Sequence, residues 1–457
     1  MIKYLVTSVI LLSLFTNSTD AQDTTWSLED CISYAMENNI AIKQTELNTQ
    51  YNQNILDQSR LSRFPSLNAS SSYGYSFGRA LDETTYEFTD NQKINSIRVN
   101  VSSGVTLFNG FQKKNTIDQN KINLMASYED VQKIKNDISL NIAAAYLQIL
   151  FSHELLMVAQ NQLEITSQQV DRTNKMVDAG KLARGSALEI QAQFASEELN
   201  VINAENQLQL AYLNLQQMLD LQYDPSFRIN KPDLPTPGDS LLVLNVMDVF
   251  SAAQELMPQI KASEYNLESS LLDLDIAQGM RYPSLTMSGN YTSGFSDIRQ
   301  KIVGTDPVTG LPIYGKYPFL EQINDNLSVG IGLGLNIPIF NGGQVNSAVS
   351  NARIGIENAR LEVQNTKNNL YRDIQQASAD ALAALKKYAA TEKALISMEE
   401  SFDYTEKKFE VGLVNTVDYN TSKNQLTTTQ SDLLQAKYDF IFKTNILNFY
   451  KGEPITL

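Results

Sequence analysis

Residues 327–342 read LSVGIGLGLNIPIFNG, and this stretch decides how the rest of the chain is interpreted. Aliphatic residues occupy every second position from Leu327 to Ile339, and serine, glycine, asparagine and proline lie between them. A repeat of two is typical of a β-strand, because successive side chains of a strand point to opposite faces. The stretch therefore predicts a strand with one apolar and one polar face.

Three further runs, at 67–77, 97–107 and 285–295, alternate in the same way. Each has about the 9–11 residues that a tilted strand needs to cross a bilayer. Aromatic residues flank the runs, Phe64 and Phe108 near one end and Tyr75 and Phe77 near the other. A single run of this kind would also suit a soluble sandwich with one wet face, but four matched runs favour a membrane barrel.

The chain is an internal duplication. The sequence Phe-Pro-Ser-Leu at 64–67 returns as Tyr-Pro-Ser-Leu at 282–285, and Phe-Asn-Gly at 108–110 returns at 340–342. The first match is offset by 218 positions and the second by 232. The second copy has therefore gained 14 residues between the two matches. We expect them in a longer loop within 296–326, where Asp-Pro and Thr-Gly pairs signal turns.

The other segments predict long helices. Residues 112–178 contain neither glycine nor proline, and apolar residues recur every seven positions. This seam consists of Ile142, Ile149, Leu156, Leu163, Val170 and Val177. Sustained heptads are typical of coiled coils. At 1.5 Å per residue this helix is about 100 Å long, and helices at 28–60 and 186–221 are each about 50 Å, so the two short helices can stack end to end beside the long one.

These patterns give the following domain organisation. Residues 1–21, with a short apolar run ending near Ala21, are predicted to be a signal peptide. Repeat 1 covers 22–222, with strands 67–77 and 97–107, long helix 112–178, tip 179–185 and returning helix 186–221. A proline-rich linker covers 223–245. Repeat 2 covers 246–451, with strands 285–295 and 327–339, long helix 344–410, tip 411–415 and returning helix 416–450, and 452–457 form a tail.

Composition excludes several classes of protein. The formal charge of −15 disfavours binding to nucleic acid, because an acidic surface repels phosphates. Cys31 and His153 are the only residues of their types, which excludes an intrachain disulfide and a Cys/His zinc cluster. We interpret both as structural residues. The sequence therefore predicts no enzyme, no catalytic residue, no metal site and no cofactor.

Four strands cannot close a barrel by themselves, because about eight is the smallest number that does. Two, three or four copies would give 8, 12 or 16 strands, and the residues leave these alternatives open. The predicted fold class is α+β and mostly α, a duplicated unit of long coiled-coil helices with four membrane strands per chain.

The phrase FEVGLVNTVD at 409–418, followed by Gln425, Leu426 and Ala436, resembles the outer membrane efflux protein (TolC-like) family. A degraded copy, DAGKL, occupies 178–182. The resemblance implies a homotrimer whose 12-stranded outer-membrane β-barrel continues into a periplasmic α-helical barrel. It also implies an exit duct of a tripartite efflux or type I secretion system in a Gram-negative-type bacterium. Its partners would be a periplasmic adaptor (membrane fusion) protein, an inner-membrane pump or secretion ATPase, and outer-membrane lipid.

The same resemblance assigns the site residues. Asp418 matches an acidic ring that narrows the closed tunnel, whereas a second aspartate of some members is Thr421 here. Phe409 and Val414 stand where some members use tyrosine and arginine to latch the tip. Asp418 is equally explained as a first-turn helix residue favoured by the helix dipole. The predicted adaptor-docking tips are Gly180, Lys181 and Leu182 in repeat 1, and Gly412, Leu413, Val414 and Asn415 in repeat 2.

Two other classes remain as alternatives. A trimeric coiled-coil stalk or surface adhesin without transport would also need long helices, but it would lack the four membrane-length strands. A periplasmic adaptor would have one helical hairpin and no duplication.

Overall fold

The structure is a computed structural model that describes residues 25–79, 81, 86–88, 90–232, 234 and 245–456. The predicted signal peptide 1–21 and much of the predicted linker 223–245 lie outside the described residues. The helices are α1 (Leu28–Asn38), α2 (Ile40–Leu61), α3 (Gln112–Asp178), α4 (Arg184–Met218), α5 (Val246–Leu256), α6 (Pro258–Gly279), α7 (Phe319–Asp325), α8 (Gln344–Glu410) and α9 (Thr416–Tyr450). The strands are β1 (Ser66–Gly78), β2 (Gln92–Asn109), β3 (Ser284–Ser296), β4 (Gln300–Thr305), β5 (Pro312–Lys316) and β6 (Ser328–Asn336).

The chain divides into two compact units. Of the described residues, the first unit contains those within 25–47, 129–261 and 365–456, and the second contains those within 48–128 and 262–364. The first unit therefore holds the tip-proximal parts of α3 and α8 together with α4 and α9, and the second holds the sheet.

The core of the first unit is built around α1. Ser27 and Asp30 form a capping box, in which the Asp30 backbone N–H donates to Ser27 Oγ over 3.0 Å. This start directs Leu28 and Cys31 into a buried cluster with Ile142 of α3 and Leu215 of α4. Burial raises the pKa of the Cys31 thiol to about 12, so this cysteine is an unreactive small core residue.

One described helix, α3, contains an 18-residue window that is long and apolar enough to cross a membrane. Half of that window is buried. Tyr146 and Ile149 of α3 lie in the core cluster of the first unit, and the Tyr146 hydroxyl donates to the Asn230 carbonyl over 2.6 Å. The length and composition of this window are those of a core helix as much as of a membrane span.

The helix predicted at 28–60 is two helices, because Asn39 leaves the helical conformation. Its φ of −61° and ψ of 131° are extended, and its Oδ1 accepts the Ala41 N–H over 2.9 Å. A local asparagine bond of this kind competes with helix propagation. The break recurs 218 positions later at Met257, which precedes Pro258 and its missing N–H.

The returning helix α4 ends at Met218, three residues before the predicted end at 221. Asp220 adopts a φ of +55°, which no right-handed helix can include. Its carboxylate instead accepts the Ile40 N–H over 2.9 Å. The end of α4 and the start of α2 are thereby fixed by the same side chain.

The second unit carries an antiparallel sheet in the order β1-β2-β3-β6. Strand β6 ends at Asn336, short of the predicted end at 339, since Pro338 cannot donate to the ladder. Strand β2, in contrast, begins at Gln92, and its residues 92–104 pair with β1 along the whole length of β1. The Phe-Asn-Gly motif ends β2, where Gly110 has a φ of +66°, and an added Cβ would lie 2.2 Å from the Gly279 carbonyl oxygen.

The register places most apolar residues of the four strands on one face. Ala69 is opposite Val101, Val101 is opposite Tyr291, and Tyr291 is opposite Val329. The same face of the ladder carries Leu67, Tyr73, Phe77, Ile97, Val99, Val105, Met287, Phe295, Ile331, Leu333 and Leu335. The other face carries mainly serine, asparagine, threonine and glycine, together with Ile94 and Arg98 of β2. The alternating apolar residues of the four strands therefore lie side by side and form one continuous apolar surface.

The longer loop expected at 296–326 has a structure of its own. It contains the hairpin β4-β5 and the short helix α7. Gln322 of α7 is fully buried, donating to the Ser296 carbonyl and accepting the Ser296 N–H, each over 3.0 Å. Two-sided hydrogen bonding of this amide fixes α7 against the end of β3. The turn residues of this loop are visible in the sequence, whereas the hairpin and α7 were not predicted.

Candidate functional site at the ends of the long helices

Both long helices end in a glycine turn of the same construction. Gly180 has a φ of +71° and Gly412 a φ of +78°, a backbone region that glycine enters without strain. The Lys181 N–H donates to the Met176 carbonyl, and the Leu413 N–H donates to the Lys408 carbonyl, both over 2.9 Å. Such bonds close a Schellman motif at a helix C-terminus. The predicted tip residues therefore form the turns at the ends of α3 and α8.

The two tips differ in how the returning helix begins. Asn415 caps α9, since its Oδ1 accepts the Asp418 N–H over 2.8 Å. In the first tip Ala183 stands at the N-cap of α4 and supplies no side-chain bond. The start of α9 is therefore better defined by its own sequence than the start of α4.

The tips also differ in the chemistry that they expose. The second tip presents Val411, Leu413 and Val417, whose exposed fractions are 70%, 77% and 59%. The first tip presents the cations Lys181 and Arg184. Large exposed aliphatic side chains are common singly, but three within seven residues form a patch of the kind that marks a contact surface.

Asp418 and Thr421 lie on exposed positions of the first turns of α9. The Thr421 hydroxyl donates to the Val417 carbonyl over 2.8 Å. The Asp418 carboxylate makes none of the bonds that cap the helix, because the capping oxygen belongs to Asn415. Its charge is free to act either on the helix dipole or on the space outside the chain.

Phe409 is buried, in contrast to these two residues. Its ring stacks on Tyr419 of α9, with centroids 4.7 Å apart and planes at 27°. Tyr419 also contacts Phe402, with centroids 5.5 Å apart. Burial raises the pKa of the Tyr419 phenol to about 12, so its hydroxyl stays neutral. Phe409 therefore joins α8 to α9 inside the chain rather than facing outward.

An ion pair that the sequence analysis missed joins the two long helices near the tips. Nη1 of Arg172 on α3 lies 2.6 Å from Oε1 of Glu410 on α8. The two residues are 238 positions apart, a separation that corresponds to neither repeat offset. No local pattern could have identified the pair.

A buried lysine was missed as well. Lys423 of α9 is 1% exposed, and its Nζ donates to the Gln162 carbonyl over 3.1 Å and to Thr166 Oγ1. One signal was available, since Lys423 stands four residues after Tyr419 and three before Leu426, both buried. That spacing puts it in the seam of a coiled coil, where a charged residue is unusual.

The seam of α3 is shifted from its predicted position near the tip. Leu163, Val170 and Val177 are only half-buried there. The buried positions are polar instead, namely Gln162, Thr166, Gln169 and Thr173. A heptad pattern predicts apolar residues at the inner positions, but in this part of α3 the inner positions are polar, and Lys423 of α9 bonds to groups of Gln162 and Thr166 there.

Comparison with known proteins identifies the family. The model of the outer membrane efflux protein family matches residues 31–220 and 249–450, which are most of both repeats. The chain is 24% identical over 395 residues to the outer membrane protein TolC of Escherichia coli K12, covering 84% of this chain and 74% of TolC. It is 21% identical over 415 residues to the cation efflux system protein CusC of Escherichia coli O157:H7, covering 89% and 82%.

Solved structures show the same fold. The chain matches a crystal structure of CusC with a TM-score of 0.76 at 16% identity, covering 93% of this chain and 92% of that one. It matches the outer membrane protein VceC of Vibrio cholerae with a TM-score of 0.74 at 16% identity, covering 94% and 96%. The matched family is one of transport channels and not of enzymes. The chain belongs to the outer membrane efflux protein family, and it is an efflux channel of the outer membrane.

Proposed function

We propose that three copies of this chain form the exit duct of a tripartite efflux or type I secretion system. A periplasmic adaptor protein would join the tips to an inner-membrane pump or secretion ATPase. The observation that carries the proposal is the sheet, whose apolar residues form one exposed face across four strands. An apolar face of this size on a single chain must be covered, and lipid is the cover that a barrel of membrane-length strands takes.

The edges of the sheet support assembly from several copies. Within the part of the chain that the structure describes, strands β1 and β6 each pair on one side only. Unpaired backbone groups at a sheet edge are costly in lipid, so a spanning sheet must close on itself. Pairing of β1 with β6 of the next copy closes it without any new element. Of the possible numbers, three copies and 12 strands agree with the family to which the chain belongs.

The polar face suits a water-filled lumen. Gly330, Gly332 and Gly334 of β6 lie opposite Asn290, Ser288 and Thr286 of β3. Small hydrophilic side chains leave space inside a barrel and hydrogen-bond to water. The alternation thus assigns one face to lipid and the other to the transported substrate.

We propose Asp418 as the residue that narrows the tunnel, with Thr421 on the same exposed side of α9. In a trimer three copies of Asp418 would surround one axis, where like charges attract cations. Phe409 would take part through its stacking on Tyr419, which holds the start of α9 to α8. The Arg172–Glu410 ion pair would hold the same region from the side of α3. The stacking of Phe409 on Tyr419 and this ion pair would together latch the closed tip, which is the role of tyrosine and arginine in some relatives.

The tips are the proposed adaptor-docking surface. Exposed Leu413 offers an apolar contact in repeat 2, whereas Lys181 offers a cation in repeat 1. An adaptor that meets both would need an apolar pocket and an acidic group. Co-purification of an adaptor with the assembled chain, lost when Lys181 and Leu413 are both changed to aspartate, tests this part of the proposal.

Reconstitution tests the duct itself. The purified full chain is added to planar bilayers, and we expect ion-conducting channels with a large, water-filled pore. A chain that inserts without conducting would favour the alternative of a trimeric stalk or adhesin. Heat-denatured chain added at the same concentration controls for leaks caused by detergent.

A further inference from the structure

Four buried polar residues follow one another in the seam of α3. Gln162, Thr166, Gln169 and Thr173 are spaced by four, three and four residues, the spacing at which coiled coils carry apolar side chains. A buried polar group costs free energy unless its hydrogen bonds are made. This part of α3 is therefore packed less favourably than an apolar seam of the same length would be.

Lys423 of α9 faces this seam. Its ammonium contacts the Gln162 carbonyl and the Thr166 hydroxyl, both uncharged groups of α3. No carboxylate oxygen of the described residues forms an ion pair with its Nζ. A desolvated ammonium without a carboxylate is costly even when it is hydrogen-bonded. The contact between α9 and α3 at this level therefore carries a buried charge without a direct ion pair.

Several oxygens near the same level are also unsatisfied. Within the described part of the chain, Gln162 Oε1, Thr173 Oγ1 and Asn420 Oδ1 are buried without a hydrogen-bond partner. Water would satisfy these groups if the helices moved apart. Separation of α9 from α3 would thus regain hydration here, whereas separating an apolar seam would expose apolar surface at about 25 cal/mol per Å².

The charged groups that act on Lys423 come from two other helices. Glu197 of α4 is 3% exposed and accepts bonds from Gln193 over 2.8 Å and Asn200 over 3.2 Å. Glu406 of α8 is the second. Burial lowers the pKa of Lys423, while the two carboxylates oppose that effect. Desolvation is the larger influence, so the packed arrangement binds the proton of Lys423 less tightly than water-exposed lysine does.

We propose that Lys423 is a positioning residue for the gate: it sets how closely the first turns of α9 pack on α3, and its protonation favours their separation. The inference rests on the proposed function, because Asp418 lies five residues before Lys423 on the same helix. At 1.5 Å per residue the two are about 7.5 Å apart along the axis, so a shift of Lys423 moves Asp418 with it.

The direction of the pH effect follows from linkage. In the separated arrangement the ammonium is hydrated and its pKa is ordinary, near 10.5. The separated arrangement therefore binds the proton more tightly than the packed one. Between the lowered pKa and the ordinary one, raising the pH favours packing, by at most about tenfold in the ratio of the two arrangements per pH unit. Below the lowered pKa this effect is constant.

Lys423→Met tests the effect of the charge alone, because it removes the charge while largely keeping the packing of the side chain. Methionine fills a similar volume and removes the ammonium. Neither acceptor is orphaned, since the Thr166 hydroxyl donates to the Gln162 carbonyl over 2.8 Å in any case. Lys408→Met is the matched control, because Lys408 is exposed near the same tip and loses the same charge.

The open fraction of the reconstituted full chain is measured from about pH 7 to about pH 10, where the ordinary lysine pKa is approached. We expect the parent and Lys408→Met to close as the pH rises. We expect Lys423→Met to be more closed at pH 7 and to lose this part of the pH dependence. Hydrogen exchange of residues 416–424 at pH 7 gives a second readout, slower in Lys423→Met than in the parent.

Equal pH profiles and equal exchange in the parent and Lys423→Met would overturn the proposal. If Lys423→Met does not assemble, Lys423→Gln, which keeps an N–H donor, is measured in the same way. Failure of both variants to assemble would make Lys423 a folding residue and would also overturn it. A parent that does not conduct at all contradicts the proposed duct instead, and hydrogen exchange still decides the role of Lys423.

Discussion

Arg172 and Glu410 form an ion pair of 2.6 Å between the two long helices of the chain, close to the glycine turn in which each helix ends. The pair joins repeat 1 to repeat 2, and each residue belongs to a helix that carries one of the tips. The two side chains are 45% and 43% exposed, so water and salt weaken their attraction.

Removal of this pair should loosen the tips slightly. We expect Arg172→Ala and Glu410→Ala each to raise the open-to-closed ratio of the channel, and the double variant to add little to either. For a pair this exposed the coupling is at most about 1 kcal/mol, and high salt should reduce it. The check is a double-mutant cycle on the open fraction at low and at high salt. Arg360 and Glu357, an exposed pair within α8, give the control cycle. If the effects of Arg172→Ala and Glu410→Ala are fully additive, the two side chains are not coupled and the pair does not stabilise the closed gate.

The sheet predicts opposite outcomes for neighbouring residues of β6. Ile331 lies on the apolar face, so Ile331→Arg should cost about 2–4 kcal/mol if the residue is near the bilayer midplane. Gly332 lies on the polar face, and a Cβ there would meet only Ser288 Oγ at 3.6 Å. Gly332 is a better control than Gly334, where the nearest atom is 2.9 Å away. Equal amounts of the two arginine variants in the outer membrane would contradict the assignment of the faces.

The tips should be needed for export but not for assembly. Leu413→Asp combined with Lys181→Glu reverses the chemistry of both exposed tips without touching a buried residue. We expect export of substrates to be lost while assemblies persist in the outer membrane. Val308→Asp, at a residue 90% exposed in the β4-β5 turn, is the control. Unimpaired export by the tip variant would argue against a duct that docks through these residues.

Asp418→Asn keeps the size of the side chain and removes its charge. If three copies of Asp418 surround the pore, the variant should be blocked less by a divalent cation on the tip side and should prefer cations less. Planar-bilayer conductance with and without the cation measures this. Asp432→Asn, 14 residues and about 21 Å further along α9, serves as the control. If the divalent cation blocks Asp418→Asn as strongly as it blocks the parent, Asp418 does not line the constriction and is only a residue of the first helical turn.

Regular features of the fold could be predicted because the sequence repeats them. Period-two alternation assigned the apolar face of β6, and the absence of glycine and proline from 112–178 gave a helix with the bounds of α3. The breaks at Asn39 and Met257 were not predicted, because each depends on one residue whose local bonds outweigh helix propensity. The helix α7 within 296–326 was missed because its position against β3 rests on the buried amide of Gln322 and not on a repeating pattern.

Of the candidate site, only the two glycine turns could be predicted from the sequence. Gly180 and Gly412 end helices in a way that sequence signals directly. The partners of the gate region were not predictable, because Arg172 meets Glu410 and Lys423 meets Gln162 across more than two hundred residues. Phe409 could be matched to a family position, but its burial against Tyr419 follows from packing.

In the proposed duct, β1 of one copy pairs with β6 of the next until three copies close a barrel. Cysteines placed singly along β1 and along β6, for example Ala69→Cys combined with Val329→Cys, Ile331→Cys or Leu333→Cys, test it by oxidation in isolated outer membranes. Native Cys31 is buried, so the new cysteines are the reactive ones. We predict that one combination gives a ladder of disulfide-linked species that ends at three chains on a non-reducing gel. A ladder that ends at two or four chains, or no linked species from any combination, would contradict the account.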